Sequence, residues 1–72
     1  MLTVVKSKSK SKEVKALENR FKTAIGILKG EEAKCTAQKV YDNFEITNVF
    51  WDVEAEEVEL IGHGFSVTIA DV

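Results

Sequence analysis

The spacing of apolar residues changes near residue 45, and this change constrains the fold more than any other feature of the chain. Before it, apolar side chains recur at intervals of three and four residues, which aligns them along one face of an α-helix. After it, apolar and polar residues tend to alternate, as they do in a strand with one buried face. We therefore predict an α+β domain, with an N-terminal helical half packed on a C-terminal antiparallel sheet.

The helical half contains one or two helices. Ser11 is a favourable N-cap and Gly30 suits a helix C-terminus, so we expect a break at Gly30 rather than one long kinked helix. Each predicted helix has an apolar stripe. The first stripe is Val14, Leu17, Phe21, Ala24, Ile25 and Leu28, and the second is Ala33, Ala37, Val40, Tyr41 and Phe44.

The sequence pattern of the C-terminal half predicts a three-stranded meander over residues 45–53, 57–62 and 65–72. The turns at 54–57 and 62–64 are short enough for antiparallel hairpins. Alternation in the first strand places Ile46 and Phe50 on one face, and Val49, Trp51 and Val53 on the other. In the last strand we expect Phe65, Val67 and Ile69 to point inward.

The N-terminal residues 1–10 allow two interpretations within a single domain of residues 1–72. The β-branched stretch 2–5 predicts an added edge strand, which the alternating sequence KSKSKSK (6–12) would prolong with its lysines on one face. Lysines on an edge strand discourage unwanted strand pairing. Alternatively, residues 1–10 form a flexible basic arm.

The size and cysteine content of the chain restrict the class of protein. A domain of 72 residues buries only about 60% of its unfolded surface, so its stability margin is small. Cys35 is the only cysteine, so no internal disulfide forms and a reducing, cytoplasmic location is expected. No apolar run has the length of a transmembrane helix, and we expect no membrane partner.

Charge is divided unequally between the two halves. Residues 1–39 hold all ten basic residues and four acidic ones (10 − 4 = +6), whereas residues 40–72 hold eight acidic residues and no Lys or Arg (−8). One explanation is that the halves pack together and partly neutralise each other. The other is that one half binds a charged partner.

The acidic half suggests a protein-binding surface. We expect an aromatic sheet face around Trp51, with Val49 and Val53 beside it, next to an acidic hairpin. Apolar centres with polar rims are typical of protein interfaces, although a solvated turn would also explain the acids. The acidic hairpin residues are Asp52, Glu54, Glu56, Glu57 and Glu59.

The basic half suggests nucleic-acid binding as an alternative. Lys15, Lys22 and Lys29 recur every seven residues on one side of the first predicted helix and could follow a phosphate backbone. Glu18 interrupts this row, and no known nucleic-acid-binding motif accompanies it. The alternative site would also include Lys6, Lys8, Lys10 and Lys12.

Nothing in the sequence indicates catalysis. Cys35 and His63 could form a nucleophile–base pair, but no motif surrounds either residue. The acidic hairpin lacks the loop pattern of an EF-hand, and one histidine does not make a metal site. We expect a non-enzymatic protein without cofactor or metal.

The stretch AQKVYDNFEITNV, residues 37–49, resembles in a generic way many small α+β proteins, including small phage proteins that inhibit host enzymes. The resemblance implies an inhibitor or adaptor but assigns no residue a role. The expected function is therefore macromolecular interaction, with another protein that has a basic surface, or with a second copy in a homo-oligomer.

Overall fold

The computed structural model describes residues 12–71. Two helices precede a three-stranded antiparallel sheet of order β1-β2-β3, which confirms the predicted α+β architecture. The predicted N-terminal edge strand and the basic arm lie outside the described residues. The elements are α1 (Lys12–Ile27), α2 (Glu31–Asn43), β1 (Ile46–Asp52), β2 (Glu57–Gly62) and β3 (Phe65–Ala70).

The helices are separated at Gly30, as predicted. Gly30 is the N-cap of α2 and has φ 85°, a positive value that residues other than glycine rarely adopt. A side chain at this position would also meet the carboxylate of Asp71, whose Oδ2 lies 2.8 Å from where a Cβ would be. The positive φ therefore favours glycine here, and the Asp71 carboxylate would have to move to admit a side chain.

Both helices bury the apolar stripes expected of them along most of their length. Phe21, Ala24 and Leu28 are buried from the first stripe. In α2, Ala33 and Ala37 are small enough to allow close approach to the sheet, and both are buried. Phe44, predicted on the same face, follows the end of α2 and is instead 52% exposed.

The core lies between the helices and one face of the sheet. Helix α1 contacts mainly β1, whereas α2 contacts β2 and β3. The two helices meet through the stacked rings of Phe21 and Tyr41, whose centroids are 3.9 Å apart. Val58 and Leu60 on the central strand β2 are completely buried, so they form the middle of the core.

A register irregularity in β1 corrects the predicted alternation. The pairing of β1 with β2 shifts between Ile46 and Asn48, as in a β-bulge, where an extra residue moves later side chains to the opposite face. Ile46 and Val49 are consequently both buried on the helix-covered side. The prediction that Ile46 shares a face with Phe50 is wrong for this reason.

The two hairpins are close to the predicted ones. Residues 53–56 form the first turn, and Glu57 already belongs to β2. The Asp52 Oδ1 atom accepts hydrogen bonds from the backbone N–H groups of Glu54 and Ala55, at 3.0 and 3.1 Å, which stabilises the turn. Residues 63–64 form the second turn.

Truncation of the α1 stripe tests this core. Phe21→Ala and Leu28→Ala should each lower the free energy of unfolding by about 2–5 kcal/mol, because each leaves a cavity in the only core among the described residues. Val53→Ala, at a 62% exposed position, is the control and should change stability little. Denaturant unfolding of the three variants measures the difference, and equal stabilities would contradict the α1 packing.

The single tyrosine gives a second test of the core. Burial raises the pKa of Tyr41 to about 12 from its ordinary value of 10.0, and the carboxylates of Glu18 and Asp42 add to this effect. As pH rises from about 10 to about 12, the unfolded chain loses the phenolic proton while the folded chain retains it, so the free energy of unfolding decreases.

Tyrosinate absorbance measures this titration directly, in native and denaturing buffer. Tyr41→Phe is the control, because it removes the phenol and with it this contribution to the pH dependence of stability. Native titration near pH 10 would show that Tyr41 is not in the core.

Candidate protein-binding surface

Both helices cover the same face of the sheet, and the other face is open in the part of the chain that the structure describes. We call this open side the outer sheet face. Its members follow from the strand register, since residues directly opposite each other on neighbouring strands point to the same side. They are Asn48, Phe50 and Asp52 on β1, Glu57, Glu59 and Ile61 on β2, and Ser66, Thr68 and Ala70 on β3.

Phe50 is the aromatic centre of the outer sheet face. It is 50% exposed and lies opposite Glu59, which in turn lies opposite Thr68 on β3. Phe50 lines a shallow depression of about 270 Å³ together with Trp51, Asp52, Glu57, Glu59 and Thr68. An exposed ring thus shares one depression with three carboxylates.

Trp51 lies on the helix-covered side of the sheet. The prediction that Phe50 and Trp51 point in opposite directions agrees with the register, because Trp51 is opposite the buried Val58. Trp51 is nevertheless 37% exposed, since it lies at the open edge of β1. There it lines a second depression of about 220 Å³ with Arg20, Val49 and Phe50.

The register also changes which apolar residues surround the acidic cluster. Val49 is only 1% exposed, so the expectation that it lies on an accessible aromatic face is wrong. Val53 is exposed in the first turn and is accessible, as expected. The aromatic ring among the acidic strand residues is therefore Phe50 rather than Trp51.

The five acidic residues of the hairpin have different environments. Asp52 uses one carboxylate oxygen to stabilise the turn, and Glu56 forms an ion pair with Lys29 at 2.9 Å. Glu54 is exposed in the turn. Glu57 and Glu59 are half-buried on the outer sheet face and form no ion pair with any residue of the described range.

The Lys29–Glu56 pair connects the end of α1 to the first hairpin. The hydrogen bond from Lys29 and the charge of Glu56 raise the pKa of Lys29, and Asp71 contributes in the same direction. Sequence reasoning missed this pair, because the two residues are far apart in the chain and neither belongs to a motif. It neutralises a small part of the charge division between the halves.

The predicted basic row is only partly described by the structure. Lys12, Lys15 and Lys22 are exposed on α1, whereas Lys29 lies beyond the end of α1 and pairs with Glu56. Lys6, Lys8 and Lys10 lie outside the described residues. The lysines of α1 remain available to solvent on a surface that does not include the outer sheet face.

The residues considered for catalysis lie at exposed positions. Cys35 is exposed on α2, and His63 is exposed in the second turn. Within residues 12–71, no three His, Cys, Asp or Glu side chains converge in a way that could hold a metal ion. Neither described helix is long and apolar enough to cross a membrane.

No protein-family model matches the chain, and no significant match was found among curated proteins or solved structures.

The single tryptophan reports directly on the open edge of β1. Because Trp51 is 37% exposed beside Arg20, acrylamide should quench its fluorescence in the native protein, though less than in the denatured protein. A Phe44→Ala variant is the control, since Phe44 contacts Phe65 on another strand and its loss should leave the quenching unchanged. Native fluorescence fully protected from acrylamide in a monomeric sample would place Trp51 inside the core.

Proposed function

We propose that this protein is a non-enzymatic protein-binding domain, an adaptor or inhibitor, that binds a partner with a basic surface through its outer sheet face. The observation that carries the proposal is the half-exposed Phe50 with Asp52, Glu57 and Glu59 around it. An apolar centre with a charged rim is the arrangement that protein interfaces use.

The apolar part of this surface would supply most of the affinity. Aromatic side chains bury a large area and frequently dominate binding energy when a partner excludes water from them. Phe50 is presented by a β-strand, so little conformational entropy is lost when it is covered. Trp51 and Val53 extend the apolar area toward the open edge of β1 and the first turn.

The acidic part would select a cationic partner and increase the association rate. Residues 40–72 contain no Lys or Arg, so no basic side chain from the sheet itself offsets Glu57 and Glu59. Rim charges of this kind act mainly on encounter rates and on specificity. Glu56 is a weaker contributor because Lys29 already pairs with it.

Nucleic-acid binding is the competing function. The exposed Lys12, Lys15 and Lys22 on α1, together with Lys6, Lys8 and Lys10, would then contact phosphates. Such binding should weaken steeply with salt, because each neutralised phosphate releases counterions. Nuclease treatment and a salt series therefore separate the two functions.

The test is affinity capture from nuclease-treated extract, followed by binding measurements with the purified captured protein. Phe50→Ala should weaken binding at least about tenfold, since truncation of a central aromatic typically costs more than 1 kcal/mol. Phe44→Ala is the matched control, because Phe44 is exposed to a similar degree at 52% but is not on the outer sheet face. Circular dichroism confirms that both variants fold.

A second pair of variants tests the charges. Glu57→Gln with Glu59→Gln should mainly lower the association rate, whereas Glu31→Gln with Glu45→Gln, at exposed positions elsewhere, should not. Loss of the captured partner on nuclease treatment would favour the lysine surface instead. Equal effects of Phe50→Ala and Phe44→Ala would contradict the proposed site.

A further inference from the structure

A groove separates α2 from the edge strand β3. Its volume is about 310 Å³, and we call it the α2–β3 groove. Its walls are Glu32, Ala33 and Thr36 on α2 and the consecutive residues Thr68, Ile69, Ala70 and Asp71. Thr68, Ile69 and Ala70 are consecutive residues of β3 and point to alternate faces of the sheet. A groove that all three line therefore follows the edge of β3, and Asp71 extends it past the end of the strand.

The edge of β3 is open in the described part of the chain. Within residues 12–71, β3 pairs only with β2, so one side of its backbone presents N–H and C=O groups with no strand beside them. Such an edge is a template for a further strand. Peptides bind in this way to several domain types, with main-chain hydrogen bonds providing affinity and side-chain pockets providing selectivity.

The two edges of the sheet differ in regularity. The β1 edge contains the register shift between Ile46 and Asn48, and bulges of this kind hinder strand addition. The β3 edge pairs with β2 over six consecutive residue pairs without a shift. Regular backbone geometry favours β3 as the edge that accepts another strand.

The charge of the α2–β3 groove indicates the chemistry of its occupant. Glu32 and Asp71 line it, and no Lys or Arg does. Asp71 is held against Gly30 at the N-terminus of α2, where the helix dipole favours a negative charge. The nearby charge of Asp71 helps to raise the pKa of Lys29, but Lys29 forms its ion pair with Glu56.

We propose that the α2–β3 groove binds an extended peptide with lysine or arginine at alternating positions, which adds to β3 as a fourth strand. The basic side chains of the peptide pair with Glu32 and Asp71. Ala33 and Ile69 form an apolar floor on this helix-covered side. The intervening small or β-branched side chains of the peptide point to the opposite face, beside Thr68 and Ala70. This site adjoins the outer sheet face at Thr68 and Ala70, and it does not depend on the function proposed for that face.

The experiment uses the full chain and a short synthetic peptide of alternating threonine and lysine, matched to β3 in length. Amide hydrogen exchange and NMR shifts should show protection along β3 on peptide addition, and none along β1. A peptide with glutamate in place of lysine should not bind. A lysine peptide with N-methylated backbone amides should also fail, because strand addition requires main-chain hydrogen bonds.

Charge reversal at neighbouring positions of α2 provides a matched pair. Glu32→Lys places a like charge in the groove and should weaken peptide binding at least about tenfold. Glu31→Lys makes the same change at an exposed neighbour that does not line the groove, and binding should persist. Both positions are exposed, so both variants should fold.

Several outcomes would overturn the proposal. Equal weakening by Glu32→Lys and Glu31→Lys would show that only net charge matters. Unchanged binding of the N-methylated peptide would exclude strand addition. Shifts confined to Glu57, Glu59 and Phe50 would move the peptide to the outer sheet face, which refutes the groove but supports the function proposed for that face.

Discussion

The structure depends on one geometric constraint, which is that two short helices cover only one face of a three-stranded sheet. Val58 and Leu60, on the central strand, are completely buried beneath α1 and α2. This burial provides the main favourable free energy for a domain of this size. The same arrangement leaves the outer sheet face open, and in the described residues it leaves both edge strands unpaired on one side.

The two edges of the sheet differ in chemistry because each helix brings a residue of different charge to the edge that it covers. Helix α1 brings Arg20 next to Trp51 at the β1 edge, whereas α2 brings Glu32 next to β3. The outer sheet face has carboxylates around Phe50. A small domain thus presents one aromatic edge with a basic neighbour, one acidic edge, and one acidic face with an aromatic centre.

The two halves of the chain contact each other electrostatically at one end of the domain. Lys29, just after α1, pairs with Glu56 in the first turn, and Asp71 lies against Gly30 between the helices. These contacts join the helical half to the first turn and to the residue after β3. They neutralise little of the charge, so most of the acidic surface remains available to a cationic partner.

The sequence by itself determined the element types, the break at Gly30 and the inward face of β3. These follow from local rules: helical periodicity over residues 12–43, a residue suited to left-handed φ, and strict alternation over residues 65–70. Tertiary structure decided the orientation of β1. A register shift near Thr47 depends on pairing with β2, and Thr47 Oγ1 donates a hydrogen bond to the Ile61 carbonyl across that pair.

That shift moved Ile46 and Val49 to the same buried side and left Phe50, rather than Trp51, on the outer sheet face. Only tertiary structure also placed Glu56 beside Lys29 and Glu32 beside β3, because long-range contacts depend on how whole elements pack. Local periodicity indicates which residues of an element are buried. It does not indicate which other helix or strand each buried residue will contact.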